Sequence, residues 1–160
     1  MKYFLSILIA AMSCSLTAQQ SACGQFHRKY CAFEDDSKNA EKWQYNAQSK
    51  SGLFTQGMVS KLRCVIYKDM DYRISVCCET NVLGDKINYK IFDARSKELL
   101  FDNKDAEDTQ VFEFQSVSTR QLIIEVMVPK GATEKEKHKA TDAACVGLLI
   151  EHKLTEKQGF

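Results

Sequence analysis

Residues 72–79 read "YRISVCCE", and the aim of the two adjoining thiols decides which fold the chain can adopt. Tyr72, Ile74 and Val76 are apolar while Arg73 and Ser75 between them are polar, the period of two that marks a half-buried β-strand. Carried forward, the alternation puts Cys78 with the apolar set, and Cys77 with Arg73, Ser75 and Glu79. The two thiols then look away from each other. They are poorly placed to chelate one metal together, and a bond between neighbours would need a strained turn where the pattern calls for a strand. Each is expected to have its own distant partner.

Working outward, the stretches 58–67, 86–93, 98–101, 109–117, 120–128 and 144–152 are short and rich in β-branched and aromatic residues. Turn-formers separate them, as in "KDMD", "TNVLGD", "DARSK" and "DNKDAED". "WQYNAQ" (43–48) alternates Trp43, Tyr45 and Ala47 against amides, as an edge strand would. The expectation is an all-β fold: an antiparallel, jelly-roll-like β-sandwich of about seven to eight short strands, stapled by disulfides, with a short helix or irregular N-terminal segment. No strand–helix alternation occurs, which argues against a parallel nucleotide-binding sheet.

Met1–Lys2 followed by the apolar run "YFLSILIAAM" reads as a secretory signal peptide over residues 1–18, with cleavage after Ala18. The run is well short of the roughly 20 apolar residues a transmembrane helix needs. Cys14 lies in a degenerate lipobox, "AAMSC", and is the candidate for a lipid anchor, with ordinary cleavage favoured. The mature chain, 19–160, reads as one domain: residues 19–56 hold a cysteine ring and an edge strand, and 57–154 the sandwich. The expected location is periplasmic or secreted. With 22 basic and 21 acidic residues there is no global field to recruit nucleic acid or an anionic membrane.

Beyond Cys14 the cysteines are Cys23, Cys31, Cys64, Cys77, Cys78 and Cys145, an even set that reads as a disulfide framework in an exported chain. Facing suggests the pairs. Leu62, Cys64 and Ile66 share a core side, so Cys64 is expected to bond Cys78. Cys145 lies opposite the apolar Ala144, Val146, Leu148 and Ile150, in the same class as Cys77, so Cys77–Cys145 is the second expected bridge. "CGQFHRKYC" (23–31) carries two competing readings. As a loop, Cys23 and Cys31 close a small ring; as a helix, Cys23, His27 and Cys31 share a face as a partial zinc or copper ligand set. The two exclude each other, because eight helical residues span about 12 Å and a disulfide holds its Cα atoms within about 7 Å. Gly24 and the exported setting favour the ring.

The remaining candidates are weaker in pattern. "FEDDSKNAEKW" could hold a short helix starting at Asp36 or Ser37. Trp43 and Tyr45, interleaved with Gln44 and Asn46, form a candidate ligand surface, since rings stack on sugars and amides read hydroxyls; packing is the default role of such aromatics. Asp102, Asp105, Glu107 and Asp108 crowd one loop, with calcium as the candidate ion and a solvated turn as the default. "PKGATEKEKHKA" (129–140) reads as a surface loop containing a solvated His138. His152, alternating with Ile150, ends the core side.

Motifs for catalysis are lacking: there is no G-x-S-x-G, H-E-x-x-H, C-x-x-C or phosphate-binding glycine loop. The run from Tyr72 to Val128 resembles the bacterial pre-peptidase C-terminal type of β-sandwich, in its Y-x-I-x-V strand, a strand ending at Asp93, the short "ELLFD", an aromatic strand and a final aliphatic one. The likeness extends over roughly 57–128. It implies a noncatalytic accessory domain of an exported protein, and it supplies no catalytic residues. The resulting expectation is an exported, noncatalytic module that binds a protein or carbohydrate ligand or acts by structural association. A small secreted hydrolase or metal-handling protein is the alternative.

Overall fold

The computed structural model describes residues 23–32, 43–131 and 142–156. The signal peptide, Cys14, the helix expected near Asp36 and His138 lie outside them. Among the described residues nine strands form two antiparallel sheets. Sheet A holds β1 (Gln44–Tyr45), β2 (Lys50–Phe54), β4 (Met70–Cys78), β7 (Val111–Ser116) and β9 (Ala144–Leu154). Sheet B holds β3 (Val59–Ile66), β5 (Asn88–Asp93), β6 (Leu99–Asp102) and β8 (Arg120–Met127). In sheet A, β9 is flanked by β4, with β7 beyond it, while β1 and β2 share its other edge; sheet B runs β3-β8-β5-β6.

The expected strands are present at nearly the expected boundaries. β2 is an addition: "KSGLF" combines lysine, serine and glycine, residues that carry little strand signal, yet all five pair with β9. "TNVLGD" forms one helical turn, α2 (Thr80–Leu83), where a plain turn was expected. The other helix, α1 (Phe26–Tyr30), precedes the strands. No helix among the described residues is long and apolar enough to cross a membrane.

The core lies between the sheets and follows the alternation. Tyr72, Ile74 and Val76 of β4 meet Val146, Leu148 and Ile150 of β9 on one side; Cys64, Ile66, Leu122, Ile124, Tyr89 and Ile91 line the other. Removing this much apolar side chain from water is the main stabilising term, at roughly 25 cal/mol per Å². The outer side of β4 departs from the simple pattern, because Arg73 and Ser75 are buried as well. Something covers that face.

Part of the cover is the Trp43 ring, which lies over Arg73, and part is α1, which packs against β9, β4 and β2. It can sit flush because β9 offers Gly147 beneath it: a Cβ there would lie 2.5 Å from Cys31 Sγ and 2.8 Å from His27 Cα. Those distances leave no room for a side chain. Gly147→Ala is therefore expected to push the helix off the sheet and cost about 1–3 kcal/mol as overpacking. Urea unfolding of the nonreduced protein checks this, and a wild-type midpoint would show that the helix is not seated there.

Candidate functional site

Two disulfides hold α1 on the outer face of sheet A. Cys23, just before the helix, bonds Cys145 of β9 with Cα atoms 5.4 Å apart, and Cys31, just after it, bonds Cys77 of β4 at 5.2 Å. Cys77 stands directly across from Gly147. The helix is thus clamped at both ends over the glycine that admits it. The bridges span 122 and 46 residues, and in the chain-entropy model each, taken alone, stabilises on the order of 4 kcal/mol. Disulfides of this kind belong to a chain that matures in an oxidising compartment.

All three expected pairings are corrected, for three separate geometric reasons. Cys77 and Cys145 do share the outer face, but with Cys77 opposite Gly147 they stand diagonally. Diagonal neighbours are about 7–8 Å apart, beyond comfortable disulfide reach. Cys23 and Cys31 do not close a ring, because the helix between them holds them apart and each bonds a strand below. Nor do they form a metal set with His27, since both sulfurs are spent. Cys64 and Cys78 are free. Cys64 interacts with Tyr72 near one end of β4, while Cys78, at the other end, donates to Gly84 O at 3.2 Å; six strand residues put about 20 Å between those ends. Burial pushes both thiols up to about 11, so neither has appreciable thiolate character near neutrality.

A third anchor sits between the two bridges. The His27 backbone amide donates to Ser51 Oγ at 2.9 Å, and that oxygen lies 2.6 Å from His27 Nδ1. Ser51 and Tyr45 between them occupy both ring nitrogens, with Nε2 lying 3.1 Å from Tyr45 Oη. Burial holds the imidazole below its usual pKa, helped by the charges of Arg28 and Lys50. The contact has the length of a nucleophile–base pair. Its groups are nonetheless engaged within the fold, and His27 is only 4% exposed, so the pair serves as an anchor for α1.

Beyond the helix the same face carries an aromatic and cationic row. Arg73, 3% exposed, pairs with Glu151 at 2.8 Å and Glu113 at 3.7 Å on the two flanking strands. Trp43 covers it, with the guanidinium 4.6 Å from the ring centroid and Lys153 Nζ also at 4.6 Å. Tyr45 has Arg28 at 4.3 Å from its ring centroid and the His27 ring stacked at 5.9 Å. Cations over an aromatic face are attracted by the ring quadrupole, with an energy that rises as they are desolvated. Next to Trp43 an open depression is lined by Asp71, Glu113, Gln115, Lys153 and Thr155.

The acidic loop has a structural job. Asn103, fully buried, accepts from the Tyr89 amide and donates to Ile87 O, each at 2.8 Å. Asp102 pairs with Lys90 at 2.7 Å and accepts from the Lys104 amide, and the Lys90 hydrogen bond holds its carboxyl low. Asp108 pairs with Lys86 at 3.4 Å. Among the described residues no three carboxylate, thiol or imidazole groups come together as a metal-binding set, so Asp102, Asp105, Glu107 and Asp108 are not gathered as the candidate calcium ligands. His152 faces the core beside Tyr72, their rings 6.2 Å apart. Sequence reasoning missed Arg73, Ser51 and Gly147; only the charge of Arg73 inside an apolar strand gave a signal.

No protein-family model matches the chain, and no curated protein matches it in sequence. Among solved structures the chain is similar to PliG of Aeromonas hydrophila, a periplasmic lysozyme inhibitor of g-type lysozyme. Identity is 12% and the TM-score 0.43, over 67% of this chain and 84% of that one. That likeness is too distant to assign a partner.

Two outcomes are expected from this geometry. Nonreducing peptide mapping should recover Cys23 joined to Cys145 and Cys31 joined to Cys77, with Cys64 and Cys78 alkylated only after unfolding; a 23–31 peptide ring would contradict the clamp. Because the His27 pKa is depressed in the fold, its contribution is present above the unfolded value near 6.5 and is lost as pH falls through the folded one. Urea midpoints should therefore drop as pH falls below about 7. His27→Gln should show a shallower drop than wild type, and equal slopes would clear His27.

Proposed function

We propose that the protein is an exported, noncatalytic binding module whose recognition surface is the Trp43–Tyr45 end of sheet A, and that its partner is a protein. The observation that carries this reading is the placement of both disulfides. They lie outside the main apolar core and fix a five-residue helix onto one outer face, beside a row of rings and cations. A surface made rigid before it meets a partner loses less conformational freedom on binding. Trp, Tyr and Arg are also the residues that most often dominate protein interfaces.

Cation stacking separates a protein from a sugar ligand. Arg73 and Lys153 lie over Trp43, and Arg28 and His27 over Tyr45, so ring area that a sugar would need is already engaged. What the surface presents is the rim of those stacks together with the carboxylates of the neighbouring depression, a mix suited to the polar and charged side chains of another protein. The resemblance of residues 57–128 to pre-peptidase C-terminal sandwiches, which implies an accessory role, is in keeping with this reading. So are cysteines committed to disulfides in place of metal ligation.

The test uses the full oxidised chain, immobilised and exposed to the extracytoplasmic protein fraction of its source cells, beside Tyr45→Ala/Lys153→Glu. A protein retained by wild type and lost, by about tenfold or more, with the double variant would support the surface. Retention unchanged in the variant would remove it. A glycan array should stay blank, and Trp43-dependent glycan binding would replace the protein reading with a carbohydrate one.

A further inference from the structure

Among the described residues the sandwich is open at one edge, between β2 and β3, and the opening leads into the core. There a cavity of about 250 Å³ is lined by Phe54, Leu62, Ile124, Val126, Val146 and Leu148, all members of or packed against the main apolar cluster. The register explains why it is not filled. Lys50, Gly52 and Phe54 pair with Leu148, Val146 and Ala144, three core residues, so all three face inward. Where a sandwich would place a large aliphatic residue, β2 has Gly52. On β3 the matching inward position is Ser60, paired with Val126. A Cβ built on Gly52 meets only the Phe54 ring, at 3.4 Å; the space beyond is open.

The same inward side of β2 puts a charge at the mouth. Lys50 is exposed, lines the cavity and has no carboxylate partner among the described residues. The other lysine on the rim, Lys61, is spoken for by Glu125 at 2.9 Å. An ammonium with no carboxylate beside it among the described residues, at the entrance of an apolar slot, is an arrangement that favours a molecule with an anionic head and a hydrocarbon tail. Water in the slot would find few hydrogen-bond partners and would be displaced readily.

We propose that this open end of the core is a binding site for a soluble, monoanionic amphiphile with a single alkyl chain, its carboxylate at Lys50 and its tail between the sheets over Gly52. This site is separate from the Trp43–Tyr45 surface and stands or falls independently of it. Calorimetry with hexanoate, octanoate and decanoate on the oxidised full chain should show one site, with affinity rising about fourfold per added methylene until the tail outgrows the cavity. Decyltrimethylammonium should bind more weakly than decanoate. Lys50→Met should weaken decanoate about threefold to fivefold, the strength of an exposed ion pair. Gly52→Val should abolish binding while leaving the thermal midpoint at or above wild type, because the new side chain fills the slot. Failure of all three alkanoates to bind, undiminished binding by Gly52→Val, or a preference for the cationic detergent would each overturn the assignment. So would attachment to anionic phospholipid vesicles without uptake of free alkanoate, which would make the source a membrane.

Discussion

The alternation of side chains along β4 is the constraint from which the rest of the site descends. Because successive residues of a strand face opposite ways, Cys78 is delivered to the core and Cys77 to the outside of sheet A. Cys145 is delivered to the same outside face by β9. Neither of these outward sulfurs can reach the other, and each is taken up by one end of α1. The glycine that β9 places between them, Gly147, is what lets backbone approach backbone there. Two bridges, one glycine and the Ser51–His27 contact thus act on a single object, the position of a short helix. A helix of five residues is far below the length at which helices persist by themselves in water, so its existence is owed to those anchors.

Covering the outer face changes the chemistry beneath it. Arg73 sits where solvent would ordinarily screen it, and taking a guanidinium out of water is costly unless carboxylates and rings replace the hydration. Glu151, Glu113 and the Trp43 face provide that replacement. The aromatic residues at this end therefore have two roles that pull together: shielding a buried charge, and presenting a stiff edge outward. The main contacts of α1 are with β9, β4 and β2, all strands of sheet A.

Much of the architecture could be read from the chain itself. The seven strands after residue 57, and which of their residues face inward, follow from apolar alternation that Ile74, Val76, Leu122, Ile124, Leu148 and Ile150 spell out. The pairing of cysteines could not be read in the same way, because a face is a direction and a bond is a distance. Cys64 and Cys78 share the core yet lie at different ends of it; Cys77 and Cys145 share a face yet stand diagonally. β2 escaped notice for a different reason: with Lys50 and Gly52 at inward positions it lacks the apolar alternation that marks a strand. In the acidic loop the charge density is visible in sequence, whereas the lysines that pair with it, Lys86 and Lys90, and the Tyr89 and Ile87 backbone groups that hold its buried Asn103 come from elsewhere in the fold.

The place of β9 in this topology sets an order of events. It is the last strand among the described residues, and it is also the one that β1, β2 and β4 all pair with, while its Cys145 is mate to the first cysteine described, Cys23. Among the described residues β1 and β2 have no partner strand until β9 is in place, and Cys23 has no mate until Cys145 is, whereas Cys31 can meet Cys77 without it. Closure of that half of sheet A, and of the bridge that straps the front of α1 to it, is thus owed to the segment that carries β9, while the strap behind the helix is owed to β4.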